Sequence, residues 1–120
     1  CQNDNEAFGA EQAMDAAGVT YGADGDVILI SFDACKAGLQ DVLDGKMNAD
    51  FQCNPLQGED LAALIKKIDA GEDYDEVAYM AEPWYVHDDD LTEITYVNAG
   101  GEEVTEPLVY VTQEIVDEGY

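Results

Sequence analysis

Polar side chains that can bind a hydroxylated ligand follow the strand-like segments of this sequence. Asn3 lies close to the first residue, Asp33 directly follows the apolar segment 27–32, and Cys53 directly follows the segment 47–52. In an open parallel sheet, ligands bind in the crevice beyond the carboxyl ends of the strands, where such residues converge. Amide and carboxylate groups supply the donors and acceptors that a polyol's hydroxyls need. Asn and Asp are also ordinary helix-capping and turn residues, and composition alone favours that simpler interpretation.

The elements that must position these side chains alternate between helix and strand patterns. Apolar residues recur at helical spacing in segments that end at glycines, which predicts helices over residues 4–17, 35–44 and 58–70. Strands are predicted for a stub at residues 1–2, for residues 27–32 and for residues 47–52. The run 27–32 is continuously apolar and rich in β-branched residues, as expected of a strand buried on both faces. This order predicts an α/β fold with a parallel sheet and flanking helices.

The last third of the chain has a different pattern. Short β-like runs occur at residues 77–80, 84–86, 94–97 and 108–112. The segment 98–101 contains two glycines and is typical of a hairpin turn, while Thr112 is placed to cap a short final helix over 113–117. We therefore predict one domain, in which residues 1–71 form the α/β portion and residues 72–120 form a short β-rich tail or hinge region.

The charge of the chain excludes two classes of partner. There are 28 acidic residues against 4 basic ones, which gives a formal net charge of −24 at pH 7. Such a surface repels phosphate backbones and anionic lipids, so neither nucleic acid nor a membrane surface is an expected partner. The longest apolar run, residues 27–30, is too short for a membrane span. An acid-biased proteome is a sufficient explanation of the charge.

Cysteines, a histidine and an acidic run are the possible reactive or metal-binding groups of this sequence. The three cysteines fit neither a disulfide scaffold nor a zinc spacing, and we interpret Cys1 as a strand residue at a cut end rather than as a lipid anchor. The run 87–90, His-Asp-Asp-Asp, offers metal ligands, but consecutive carboxylates in a loop are more often simply solvated. Cys35 has no histidine near it in sequence, which argues against a Cys–His catalytic unit. The sequence thus predicts no catalytic residue, no metal and no cofactor.

Several short blocks of sequence, in order and with matching spacing, resemble a known family. The blocks are Gln2-Asn3-Asp4, Phe8-Gly9-Ala10, Ile30-Ser31-Phe32-Asp33-Ala34, Asp44-Gly45-Lys46, Cys53-Asn54-Pro55-Leu56 and, more weakly, Tyr110-Val111-Thr112-Gln113-Glu114. Together they resemble the C-terminal part of the type I periplasmic sugar-binding proteins, the ribose- and galactofuranose-binding class of ABC-transporter solute receptors. The resemblance covers roughly residues 1–71 and resumes at 108–120.

The resemblance implies a structure and a set of ligand contacts. Members of the family have two α/β lobes that close around a sugar, and this chain would form one lobe. The resemblance implies that Asn3 and Asp33 hydrogen-bond sugar hydroxyls. A third contact in ribose binders is a Gln two residues before a Pro, and this sequence has Cys53 there, with Gln52 one position away. Residues 72–107 are longer than the usual tail and suggest an insertion near the hinge.

The resemblance also implies a role and a set of partners. The expected role is the solute-binding component of an ABC transporter, which binds a monosaccharide between two lobes and delivers it to the permease. The expected partners are a pentose or hexose, furanose forms included, the permease, and the family's N-terminal lobe, which would precede Cys1. The expected location is extracytoplasmic, in the periplasm or as a cell-surface lipoprotein.

Two other functions are compatible with the same fold. The first is the effector-binding domain of a sugar-responsive transcription regulator, which would carry a basic DNA-binding headpiece upstream and usually a second acidic residue where this chain has Ala34. The second is a flavodoxin-like enzyme or signalling domain. That domain needs a phosphate-cradling loop, and the sequence has no Gly-rich strand-to-helix loop.

Overall fold

The structure is a computed structural model that describes residues 1–78 and 80–120. Four helices and six strands make up the described part of the chain. In chain order they are α1 (Asp4–Ala17), β1 (Ile30–Asp33), α2 (Lys36–Leu43), β2 (Ala49–Gln52), α3 (Gly58–Ala70), β3 (Trp84–Val86), β4 (Glu93–Val97), β5 (Glu103–Pro107), β6 (Val109–Tyr110) and α4 (Gln113–Glu118). None of these helices is long and apolar enough to cross a membrane.

Local capping fixes the ends of α1. The side-chain oxygen of Asn3 accepts a hydrogen bond from the backbone N–H of Glu6, and Gly18 ends the helix in the left-handed conformation at φ 68°. A polar N-cap of this kind stabilises a helix by about 0.5–2 kcal/mol. A left-handed C-terminal residue favours glycine, which has no Cβ to clash. The predicted helix over 4–17 is confirmed to the residue.

Four strands form the main sheet in the order β1-β2-β3-β6. The pairs β1–β2 and β3–β6 are parallel, whereas β2 and β3 are antiparallel. The predicted α/β class, with a parallel pairing between the two apolar segments and flanking helices, is confirmed. The predicted stub at 1–2 is wrong as a strand: Cys1 only donates one hydrogen bond, 2.8 Å, from its ammonium to the carbonyl of Ile30.

The tail of the chain divides between two sheets. Strands β4 and β5 pair with each other alone, joined by the predicted turn at 98–101, in which the N–H of Asn98 donates to the carbonyl of Glu102. Strands β3 and β6 instead join the main sheet, and the predicted capping of α4 by Thr112 is confirmed. The run 77–80 was predicted to be β-like; residues 77, 78 and 80 are not in a strand, and Tyr79 lies outside the described residues.

Among the described residues, the hydrophobic core lies on one face of the sheet. Leu39, Val42 and Met47 pack there with residues of the last segment, Val111 and Val116. On the opposite face Ile30 is 39% exposed and Phe32 is 43% exposed. The prediction that the first long strand is buried on both faces is therefore wrong.

Helix α3 does not cover the open face. Its apolar stripe, Leu61, Leu64, Ile65 and Ile68, is 36–57% exposed, and no residue of the helix is buried among the described residues. The helix forms where predicted because Glu59 and Asp60 favour its first turn and Gly71 ends it at φ 67°.

Candidate functional site

The carboxyl ends of β1 and β2 lie side by side. In the parallel register Asp33 is the partner of Gln52, and the N–H of Cys53 donates to the carbonyl of Asp33 at 3.2 Å. Three of the four predicted ligand-binding residues are therefore neighbours at one edge of the sheet. We call this edge, together with Asn3, the rim.

Asn3 reaches the same end of the sheet through the residue that follows it. Asp4 begins α1, and its carboxylate accepts a hydrogen bond of 2.9 Å from the N–H of Cys35, two residues beyond Asp33. The Asn3 side-chain oxygen caps α1, as the simpler interpretation of its sequence position holds. Its side-chain NH₂ group has no hydrogen-bond acceptor among the described residues, so the same amide can still donate to a ligand.

Asp33 has a backbone conformation that L-residues rarely adopt. Its φ is 110°, and the next residue, Ala34, has φ 54°. Non-glycine residues in such conformations cost roughly 1–3 kcal/mol each and cluster at functional sites. The side chain of Asp33 is half-buried and makes no hydrogen bond to the described residues. The strained turn therefore presents a carboxylate whose acceptor positions are open to a ligand.

Three hydrogen bonds from distant parts of the chain hold this turn. The N–H of Ala34 donates to Asp50 at 3.2 Å, the N–H of Cys35 donates to Asp4, and the hydroxyl of Tyr120 donates to the carbonyl of Asp33 at 2.7 Å. Because α1, β2 and the last residue each supply one partner, the surrounding fold determines the conformation of the Asp33 segment.

Tyr120 joins the two strand ends, a role that no local sequence pattern indicates. Its hydroxyl lies 2.7 Å from the carbonyl oxygen of Asp33 and 3.2 Å from that of Cys53. Burial, followed by the nearby Asp33 carboxylate, raises the pKa of Tyr120 to about 12, so the hydroxyl stays a donor at neutral pH. Its contact with Asp33 spans 87 residues of sequence, and no local pattern signals a pairing at that separation.

Two buried carboxyl groups lie directly beneath the rim. Asp4 is 2% exposed and Asp50 is fully buried. Both approach Gly38, since a Cβ placed there would lie 2.5 Å from Asp4 Oδ2 and 2.6 Å from Asp50 Oδ2. Burial is the main cause that raises the pKa of Asp50 to about 8, and the adjacent Asp4 adds to it. The sequence does not indicate this pair, because Asp50 lies inside β2 and not at the strand end, where ligand-binding residues are expected.

Gln52 and Cys53 differ in what they offer a ligand. The Gln52 side-chain oxygen accepts a hydrogen bond from the Tyr85 hydroxyl at 3.1 Å, which orients its amide and leaves the NH₂ group as a donor. Cys53 is exposed, and its thiol is a weak hydrogen-bonding group. A hollow of about 240 Å³ lies beside them and is lined in part by Ala34, Asn54 and Tyr120.

Larger hollows are lined by residues other than the four of the rim. One of about 500 Å³ is lined in part by His87 and Asp88, and another of about 780 Å³ is lined in part by Trp84 and Tyr96. The His87 ring is held by the carbonyl of Val42 at 2.8 Å. The carboxylates of residues 88–90 are exposed and lie within 4.8 Å of one another, as expected for a solvated acidic loop. The rim is the better candidate site, because the surrounding fold holds a strained turn there that presents the Asp33 carboxylate.

Comparisons with known proteins find similar proteins among sugar-binding proteins. No protein-family model matches the sequence. The fructose import binding protein FruE of Bifidobacterium longum (strain NCC 2705) is 38% identical over 65 residues, which are 54% of this chain and 19% of that protein.

Two solved structures share the fold over a larger part of the chain. A protein from Mycobacterium smegmatis, in complex with beta-D-fucofuranose, is 37% identical with a TM-score of 0.63, over 72% of this chain and 28% of that one. A galactofuranose binding protein is 26% identical with a TM-score of 0.60, over 72% of this chain and 29% of that one. The chain thus spans between a fifth and three tenths of the length of these proteins. The predicted resemblance to type I periplasmic sugar-binding proteins is confirmed over the matched part.

Proposed function

We propose that this chain supplies one side of a monosaccharide-binding site, in the solute-binding component of an ABC transporter. The observation that carries the proposal is the Asp33 carboxylate, which the strained turn presents at the rim with no hydrogen bond to the described residues. A sugar enclosed by protein loses water from each hydroxyl and must regain those hydrogen bonds. Asp33 would accept from two hydroxyls, and Asn3 and Gln52 would donate through their side-chain NH₂ groups.

The shape of the rim supports a site with a second side. Small-molecule sites usually enclose about 300–1,000 Å³ and bury most of the ligand. The hollow of about 240 Å³ beside the rim, which Gln52 and Tyr120 help to line, is smaller. An opposing lobe, as the family has, would complete the enclosure and exclude water from the sugar.

A binding role fits the chemistry of the rim better than catalysis. A reactive cysteine needs a low pKa, whereas burial and then the hydrogen bond with Asp4 raise the pKa of Cys35. His87 lies at the other end of β2, where its backbone N–H donates to the carbonyl of Asn48. The relatives are described as binding proteins, one of them for fructose import.

The transport role extends the proposal to partners and location. Import of a sugar requires a permease that receives it, and the receptor then lies on the extracytoplasmic side, in the periplasm or attached to the cell surface. The net charge of −24 is compatible with docking on a complementary basic face of such a permease.

Sugar titration of the chain and of a longer protein that contains it tests the proposal. Fructose, fucose and galactose would be added to the ¹⁵N-labelled chain, and shifts are expected at the amides of residues 33–35, 52 and 53. In the longer protein, Asp33→Ala should weaken binding by about one to two orders of magnitude, since bonds to a charged acceptor are worth ~1.5–3 kcal/mol. Asn3→Ala should cost less, because its amide makes neutral bonds worth ~0.5–1.5 kcal/mol.

Asp69→Ala is the matched control, because Asp69 is an exposed carboxylate on α3, outside the rim. It should leave the affinity unchanged. Equal affinities of the unaltered protein and Asp33→Ala, for whichever sugar binds, would show that Asp33 is not a ligand contact.

A further inference from the structure

The two carboxyl groups beneath the rim receive fewer hydrogen bonds than their oxygen atoms can accept. Asp4 accepts from the N–H of Cys35 and Asp50 accepts from the N–H of Ala34, which uses one oxygen of each. The second oxygens, Asp4 Oδ1 and Asp50 Oδ2, are buried and have no hydrogen-bond partner among the described residues. Buried acceptors without a partner destabilise the folded state, and more so when they are charged.

Two ionised carboxylates cannot share this space at low cost. The site is closed to water, and like charges in a dry environment repel strongly. Gly38 leaves just enough room for both groups, since a Cβ there would lie within 2.6 Å of an oxygen from each. A proton on one carboxyl group would turn it into a donor toward the other, which relieves both the repulsion and the missing hydrogen bond.

We propose that Asp4 and Asp50 share one proton, and that this proton holds the Asp33–Cys35 turn in the conformation that presents the ligand contact. Each carboxyl group holds one amide of the turn, Asp50 at Ala34 and Asp4 at Cys35. When the proton leaves, the two groups repel, and the amide hydrogen bonds that depend on their positions rearrange. Asp4 and Asp50 are thus positioning residues for Asp33.

Other ionisable groups face the pair and determine how it responds to pH. The Asp33 carboxylate acts on Asp50 in the same direction as Asp4 does, because its negative charge favours retention of the proton. Cys35 interacts directly with Asp4, while Tyr120 keeps its proton far above neutral pH. Among the described residues, Lys36 is the cation nearest in sequence to this turn, and its ammonium is bound to the carbonyl of Asp117. The shared proton should therefore leave in a mildly alkaline range.

Carboxyl ¹³C spectra of the 120-residue chain test the shared proton without any ligand. The Asp50 carboxyl carbon should titrate near pH 8, because burial and then the adjacent Asp4 raise the pKa of Asp50 to about 8, and the amides of Ala34 and Cys35 should change in the same step. Asp50→Asn should remove that step from the amide shifts, whereas Asp69→Asn, on α3, should keep it. If the Asp50 carbon instead titrates near pH 4, as an unperturbed Asp does, the proposal fails, whether or not the variants fold.

The consequence for ligand binding rests on the proposed function and is tested separately. In a longer protein that binds sugar, the affinity should fall as the pH rises through this step. If sugar binding raises the pKa of the pair by one unit, the total fall in affinity is about tenfold. The affinity of the Asp50→Asn variant should not show this dependence. A titration step without an effect on affinity would overturn the positioning role, and absence of sugar binding at every pH would contradict the proposed function alone.

Discussion

The hydroxyl of Tyr120 lies 2.7 Å from the carbonyl oxygen of Asp33 and 3.2 Å from that of Cys53. One side chain therefore links the ends of two parallel strands at the point where the candidate ligand contact projects. The backbone carbonyl of Tyr120 is also held, by the N–H of Lys36 at 2.9 Å. These bonds place the last residue of the chain among the groups that determine the shape of the rim.

Tyr120→Phe should lower stability and loosen the rim. The variant keeps the ring and loses the hydroxyl, so the free energy of unfolding should fall by about 0.5–1.5 kcal/mol, the net value of a hydrogen bond. Urea denaturation measures the loss. Hydrogen exchange of the Cys53 amide, which donates to Asp33, should become faster.

Tyr74→Phe is the control for that substitution. Tyr74 is 50% exposed, and its hydroxyl makes no hydrogen bond within the described part of the chain, so stability should stay within about 0.5 kcal/mol. Equal effects of the two substitutions would mean that the Tyr120 hydroxyl does not brace the rim.

The parts of the fold that could be predicted from the sequence are those with local signals. Helix α1 was predicted to the residue because the Asn3 cap and Gly18 are both adjacent to it. The parallel pairing of β1 and β2 follows from their connection through a helix, which is a local pattern as well. The sequence pattern does not predict strand β5, because its five residues include two glutamates and a proline and it lies in the two-stranded sheet with β4, outside the main sheet.

The parts that escaped prediction depend on contacts between distant segments. An apolar run such as 27–32 is compatible with burial on one face or on both, and only the position of α3 decides between them. The hydrogen bonds of Asp50 with Ala34 and of Tyr120 with Asp33 join residues that are far apart in sequence. The sequence therefore indicated where the rim would be, and the structure adds what holds it.

Gly38→Ala should destabilise the protein, although alanine favours helices. A Cβ at this position in α2 would lie 2.5 Å from Asp4 Oδ2 and 2.6 Å from Asp50 Oδ2, and both carboxyl groups are fixed by burial. Overpacking of this kind costs about 1–3 kcal/mol. Thermal or urea unfolding measures the change.

Gly9→Ala, in α1, should stabilise the protein and serves as the control for Gly38→Ala. Gly9 lies within α1, and nothing in the described structure comes within 4 Å of a Cβ placed there. Alanine should therefore stabilise the protein by about 0.5–1 kcal/mol through helix propensity. Stabilisation by both substitutions would contradict the close approach of Gly38 to the carboxyl pair.

The substitutions Leu39→Ala and Leu61→Ala should lower the stability by different amounts, because Leu39 is buried and Leu61 is exposed. Leu39 lies in α2 and is 2% exposed, so its truncation should lower the free energy of unfolding by about 2–5 kcal/mol. Leu61 is 57% exposed on α3, so the same substitution should change stability by about 0.5 kcal/mol or less. Similar losses, measured by urea denaturation, would mean that α3 packs against the molecule in solution.

The stability of the protein should fall as the pH rises from about 4 toward 8, through the Asp50 carboxyl group. Its folded-state pKa is raised from 3.8 to about 8, so between these values the folded state binds the proton and the unfolded state does not. Since stability falls with pH wherever the folded state binds more protons, the slope contributed by Asp50 is negative, at most ~1.4 kcal/mol per pH unit. Above the folded-state pKa this contribution is lost. Burial also raises the pKa of Glu11, which adds a slope of the same sign.

Asp50→Asn isolates the contribution of Asp50. The amide keeps the shape of the protonated carboxyl group and cannot ionise, so its free energy of unfolding should be less dependent on pH across this interval, with the Glu11 contribution still present. Urea denaturation at a series of pH values, for the unaltered chain, Asp50→Asn and the exposed control Asp69→Asn, measures the three slopes. Parallel curves for all three proteins would show that Asp50 is ionised in the folded state at neutral pH, and that the turn at Asp33 is held without a buried proton.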